Sequence, residues 1–291
     1  MPGSGASDGP APPRPVVVIP IPLPQLRPPE QQSLRRAFRL LACHPLVLLC
    51  PAGRAAAIAE AVAALVGPGV RFTLHAVPDP WMASERTYNQ LMLRPAFYAH
   101  YRAYSHLLIH QLDATVFADE LLAWCRRPWD YIGPPCFGPG DPFDPSTVPF
   151  NGVGGFSLRR IAAFEAALAA APLVFRYGDL QRHLRGWSRR GRLVMHARWL
   201  ACRLTGGCRL PAPPSSLAHW LGINEDVIFG RQLPMVRPLF RVAPYDEAVR
   251  FGIDRHVDEQ LRRLGRLPFG AHAWWTLPGH REQWDSWLAQ T

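Results

Sequence analysis

The chain has 291 residues, 48% hydrophobic and 19% charged, enough to bury a substantial core in one large domain or two small ones. No apolar run approaches the ~20 residues that a helical membrane span requires. Net charge is +10 with no lysine at all, and nine arginines against one acid, Asp179, fall between Arg176 and Arg209. The rest of the chain is therefore near neutral, so any basic partner surface is local.

Met1 to Pro15 is small and Pro-rich, lacks the apolar stretch of a secretory signal, and reads as a disordered leader. Val16 to Ile19 is short, β-branched and continuous, the pattern of a strand covered on both faces. A Pro-rich loop follows, and Glu30 opens a helix with Leu34, Ala37, Phe38 and Leu41 on one face. Leu46 to Leu49 reads as a strand, Ala55 to Leu65 as a helix and Val70 to Leu74 as a third strand. Tyr88 to Tyr104 is helical in pattern, Leu107 to Ile109 is a buried strand, and Asp119 is placed to cap a helix running through Trp124. Asp130 to Gly133 is a short strand and turn, Pro134 to Pro149 a long Pro/Gly loop. Phe156 to Leu158 reads as a strand and Arg159 to Ala170 as a helix. Asn224-Glu225-Asp226 starts another. This alternation predicts an α/β fold, a mainly parallel, doubly wound sheet flanked by helices, in one domain over 16–285 with an Arg-rich insertion at about 176–215. Ligands of such sheets bind at the carboxyl ends of the strands.

The candidate chemistry sits at element ends. Asp113 follows a buried strand, where a carboxylate serves either a divalent cation or a turn. Glu225 and Asp226 open a helix, which suits the helix dipole and equally a general base. His272 stands in a Pro-Phe-Gly turn beside Trp274 and Trp275, the makings of a pocket wall. Asn151-Gly152-Val153-Gly154-Gly155 permits close approach of backbone to a ligand but is not the dinucleotide fingerprint. Phosphate-loop, nucleophile-elbow and His-Glu-x-x-His motifs are all missing, so kinase, hydrolase and zincin readings lose their main support. The six cysteines are scattered with no Cys-x-x-Cys pair, which fits reduced thiols in a cytoplasmic protein.

In order, the segments "YNQLMLRPAFYAHYRAYSHLLIHQLDATVF", "WDYIGPP", "NGVGGFSLRR", "NEDVIFG" and "LPFGAHAWW" resemble an uncharacterised bacterial glycosyltransferase-like family, from about Val16 to Trp275. The "GGFSLRR … EDVIFG" pair also resembles eukaryotic β-1,3-galactosyltransferase-like enzymes. The resemblance implies a GT-A-type fold, a nucleotide-sugar donor, a glycan or lipid-linked acceptor and a divalent metal, Mn²⁺ or Mg²⁺. Gln111-Leu112-Asp113 then occupies the place of an Asp-x-Asp metal motif, its first acid replaced by Gln. His272 matches the C-terminal metal ligand. Asp226, with Glu225 beside it, matches the base of inverting members. Gln111, Asp113, Asn151, Gly154 and Gly155 match the donor-facing positions.

Two other readings compete. One is a nucleic-acid- or anionic-surface-binding protein on an inactive GT-A scaffold, motivated by the arginines. The other makes Leu180, Leu184, Trp187, Leu193, Trp199 and Leu200 a membrane-surface helical hairpin, peripheral at the inner face of a membrane. The blander version packs those apolar residues on the domain and leaves the arginines solvated.

Overall fold

The computed structural model describes residues 12–138, 140–169, 173–174, 177–184, 188–205, 209–210 and 224–289. Its first half is β1 (Pro15–Pro20), α1 (Pro28–Leu40), β2 (Leu46–Pro51), α2 (Ala55–Val66) and β3 (Thr73–Val77). There follow α3 (Glu85–Met92), α4 (Pro95–Ala99), β4 (His106–His110), β5 (Thr115–Val116), α5 (Leu121–Cys125) and β6 (Tyr131–Ile132). Then come the paired β7 (Pro135–Cys136) and β8 (Phe150–Asn151), β9 (Phe156–Arg160) and α6 (Ile161–Ala169).

The central sheet has the order β3-β2-β1-β4-β9-β6. β1 pairs in parallel with β2 and β4, and β2 with β3, while β9 runs antiparallel to both β4 and β6. It is thus a mixed, mainly parallel sheet flanked by helices. Strand β1 explains why: Val16 and Val18 enter one core, Val17 and Ile19 the other, and all four are fully buried. Each such side chain contributes about 1.5–3 kcal/mol of transfer free energy. The chain runs from β1 outward through β2 to β3, then returns to place β4 on the other side of β1. The reversal opens a crevice between the carboxyl ends of β1 and β4.

A second, three-stranded sheet joins the C-terminal part to this crevice. β12 (Gly252–Ile253) lies parallel to β13 (Gly270–Ala271), which runs antiparallel to β5. The last helix, His280–Leu288, closes this side with a buried Trp284.

Several elements differ from expectation. Pro15 belongs to β1, and Arg14 exchanges hydrogen bonds with Ser105, so the strand and its contacts begin before Val16; residues 1–11 lie outside the described ones. The third strand starts at Thr73, where its ladder with β2 begins; Gly67 and Gly69 hold the preceding turn at positive φ. The Tyr88 to Tyr104 helix divides, because Pro95 brings no amide hydrogen and opens α4 at its first position. Arg159 is in β9, opposite Leu107 and Tyr131, and α6 starts two residues later; Ala170 is outside the described residues. The C-terminal helix passes residue 285.

The arginine segment contributes β10 (Leu173–Val174), α7 (Tyr177–His183), α8 (Arg189–Leu204) and β11 (Arg209–Leu210). Leu180, Leu184, Met195 and Cys202 are buried in the same core cluster as Val16 and Leu107, so the segment is seated on the domain rather than apart from it. Trp199 packs partly against that cluster; Trp187 lies outside the described residues. The five described cysteines are free thiols. Among the described residues no helix is long and apolar enough to cross a membrane.

Candidate functional site

Three short elements end at one point. Asp113 sits three residues beyond β4, His272 directly after β13, and the antiparallel pairing of β13 with β5 brings those ends together. Backbone bonds fix the junction: Trp274 N–H donates to the Asp113 carbonyl, His272 N–H to Ile253, and Gln111 N–H to Gly155. The side chains follow. His272 Nε2 lies 3.4 Å from Asp113 Oδ1 and 3.4 Å from Gln111 Oε1, and Thr276 Oγ1 donates to Asp113 Oδ2 at 3.3 Å.

The other ring nitrogen of His272 is engaged by a residue that sequence reasoning missed. Nδ1 is 2.7 Å from Asp254 Oδ1, and Asp254 directly follows β12. The parallel β12–β13 register sets Asp254 beside His272. An acid one residue beyond a two-residue strand gives no periodic signal, so only the pairing reveals it. Such a carboxylate fixes the imidazole orientation and leaves Nε2 for a ligand.

Burial alone would pull the His272 pKa down, but Asp113 and Asp254 together hold it well above the usual histidine range. For Asp113 burial pushes upward and is outweighed by the charge and hydrogen bond of His272, so its carboxyl stays below its ordinary value. A proton therefore ties Asp113 to His272 at neutral pH. One nitrogen and two oxygens converge there, a donor set that suits a divalent cation, with Asp113 as the single anionic ligand. His110, on the same strand end, is fully buried against Phe156, and burial lowers its pKa to about 4, which makes it a neutral core residue.

Gly154 and Gly155 stand between this cluster and the second pair of acids. A Cβ on Gly155 would overlap His272 Nε2 and Gln111 Oε1, and one on Gly154 would press on Glu225 Oε1. Here the requirement for glycine is space, since neither residue has a positive φ. Gly154 N–H donates to Asp226 Oδ2 at 3.2 Å, and Asp226 Oδ1 accepts from Val227 N–H at 2.7 Å. Glu225 does something different: buried, it pairs with Arg159 at 3.1 Å. The Arg159 guanidinium has no exposure and also donates to the Tyr98 hydroxyl, the Ser157 hydroxyl and the Gly154 carbonyl. Burial first, and the adjacent Glu225 second, push Asp226 up to about 7 against its two backbone donors. A carboxyl so placed exchanges a proton near neutrality.

Asn151 is the one proposed site residue drawn elsewhere. Its Nδ2 donates to the Ala243 carbonyl at 3.1 Å, and its side chain enters no hydrogen bond with the Asp113–His272 cluster. The β7–β8 pairing, Pro135 opposite Asn151, turns it toward that neighbour.

The cluster opens on a cleft of about 250 Å³ in the crevice between β1 and β4. Pro20, Pro22 and Tyr88 line it with Gln111, Asp113 and Trp275. Arg27 lies over the Trp275 ring at 4.5 Å and is held by Glu30, so one cation stands at the mouth. Elsewhere, Cys43, His44 and Asp119 come close enough to share an ion, but Asp119 accepts from both and from Leu121 N–H, which accounts for the group.

Fold and site define an α/β protein with a cleft at the carboxyl edge of a mixed sheet, lined by Gln111 and Asp113 of the acid–histidine cluster, with the Glu225–Asp226 pair set behind Gly154. The chain belongs to the family described as "Protein of unknown function (DUF5672)", whose model matches residues 71–272. No curated protein matches it. Among solved structures it is distantly similar to core-mannan synthase A (CmsA/Ktr4) from Aspergillus fumigatus in a Mn/GDP form, at 11% identity over 74% of this chain and 71% of that one, TM-score 0.38. A second is the apo-form glycosyltransferase GlyE of Streptococcus pneumoniae TIGR4, at 13% identity over 95% of this chain and 64% of that one, TM-score 0.43. This chain thus spans less than two thirds of GlyE.

Proposed function

We propose that this protein is a GT-A-type glycosyltransferase that moves a sugar from a nucleotide-sugar donor to a hydroxyl of a glycan or lipid-linked acceptor, with inversion. The observation that carries the reading is the convergence of Asp113, His272 and Gln111 at the cleft, with Asp226 on the far side of Gly154–Gly155. Asp113, His272 and the Gln111 carbonyl would hold Mn²⁺ or Mg²⁺, and a bound cation supplies charge neutralisation of the leaving diphosphate. Asp254 orients His272. Asp226, ionised, takes the proton of the acceptor hydroxyl as its oxygen attacks the anomeric carbon. Glu225, committed to Arg159, supports Asp226 rather than sharing its role. Trp275 and Arg27 wall the donor cleft. Screening nucleotide sugars for hydrolysis and transfer with and without Mn²⁺ and Mg²⁺ tests the reading; no turnover of any donor under any metal would leave an inactive scaffold.

Two further results are expected. Asp254→Asn should weaken Mn²⁺ binding by about 10–100-fold, the range for a lost ligand-orienting carboxylate. Binding to the unaltered protein should release a proton, because the cation replaces the one on His272, and should weaken as pH falls. Calorimetry in buffers of different ionisation enthalpy measures both, and proton-neutral binding would contradict the assignment of His272. Gly155→Ala should displace His272 or Gln111 and abolish saturable Mn²⁺ binding, while Gly178→Ala, where an added methyl meets nothing, should leave it intact.

A further inference from the structure

Helix α8 (Arg189–Leu204) carries Arg189, Arg190, Arg192, Arg198 and Arg203, all exposed, and no acid. Its inward direction is set by Met195 and Cys202, 8% and 3% exposed in the domain core. Leu193, Leu200 and Leu204 are 72%, 54% and 80% exposed. At about 100° per residue those three fall within about 40° of one another and roughly opposite Met195 and Cys202. Arg189 and Arg190 flank the leucine ridge on either side, and Arg192 and Arg203 stand further round one flank. Tyr177 of α7, itself 44% exposed, rests against His196 and Trp199 of α8.

A helix that merely solvates its arginines needs no leucine ridge pointing to water. Single exposed leucines are ordinary, but an aligned set rimmed by one sign of charge marks a contact surface. The charge selects the partner: the four arginines around the ridge, on a helix without an acid, fit an anionic surface. It also disfavours a second copy, since two such faces would set arginine against arginine. A soluble polyanion would use the arginines and leave the leucines in water.

We propose that α8 seats the protein on an anionic lipid surface. Leu193, Leu200 and Leu204 enter the headgroup–acyl boundary, and Arg189, Arg190, Arg192 and Arg203 pair with lipid phosphates, their stems lying along the apolar layer. Binding needs no donor and no turnover, so it stands or falls separately from the transferase reading.

The test is flotation of the full chain with vesicles of phosphatidylcholine alone or with phosphatidylglycerol, at low and high salt. Binding is expected only with phosphatidylglycerol and should fall with salt. The set Leu193→Ser, Leu200→Ser, Leu204→Ser should weaken it by about tenfold or more. The set Arg189→Gln, Arg190→Gln, Arg192→Gln, Arg203→Gln should weaken it on the order of a thousandfold. Circular dichroism and thermal melts check that both variants fold; the lipid-charge and salt arms need no variant. Failure of the unaltered chain to float with phosphatidylglycerol overturns the proposal. So does undiminished binding to phosphatidylcholine, or full binding by the serine variant, which would indicate a polyanion site. A dimer that the serine set dissolves, without vesicle binding, would assign the ridge to a second copy instead.

Discussion

Asp226→Asn should lower kcat by about 10²–10⁴-fold while leaving donor affinity unchanged, because a general base acts only as the acceptor is deprotonated. Asp113→Asn should instead weaken metal-dependent donor binding. In the unaltered protein kcat/KM should rise with pH through about 7, the value at which Asp226 gives up its proton. Burial is the main cause of that value and the neighbouring Glu225 the second, so Glu225→Gln should move the acid limb to lower pH. The sign for stability is opposite. Since the folded-state value lies above the unfolded one, the protonated form favours folding and that contribution is lost as pH rises through about 7. Asp226→Asn should therefore stabilise the protein most at alkaline pH. Measuring kcat, donor affinity and melting temperature across pH for both variants checks the set. Turnover preserved in Asp226→Asn, or equal loss of donor binding in the Asp113 and Asp226 variants, would contradict the division of roles.

Arg159→Met should be the most destabilising of the site variants. Arg159 is fully buried and Glu225 is 5% exposed, so removing the guanidinium strands a carboxylate, at a cost of about 3–5 kcal/mol. Arg159 also anchors Tyr98, Ser157 and the Gly154 carbonyl, which joins the stability of β9 to the shape of the site. Adding Glu225→Gln to Arg159→Met should recover part of the loss, because the residual buried charge is gone. Urea unfolding of the two single variants and the double variant measures it. Strictly additive effects would mean that the ion pair is not the source.

The sequence by itself determined the layers. Continuous β-branched runs such as Val16 to Ile19 have two buried faces whatever surrounds them, and the α1 stripe of Leu34, Ala37 and Phe38 must lie on a sheet. It also placed Asp113, His272 and Asp226 at element ends, where a doubly wound sheet gathers its chemistry. Local pattern failed where a long-range partner decides. Arg159 looks like the start of a helix, yet the ladder between β4 and β6 and the buried Glu225 hold it in a strand. Asn151 matches a donor-facing position by resemblance alone, and the bond from its amide to the Ala243 carbonyl is one that no local pattern gives. Asp254 carries no signal of its own, because its meaning comes from the parallel register of two-residue strands. In α8 the charge was legible from composition, but which leucines face water depends on where Met195 and Cys202 find the core. Periodicity reports burial along one element, whereas a site is made of contacts between elements, and those only the tertiary structure sets.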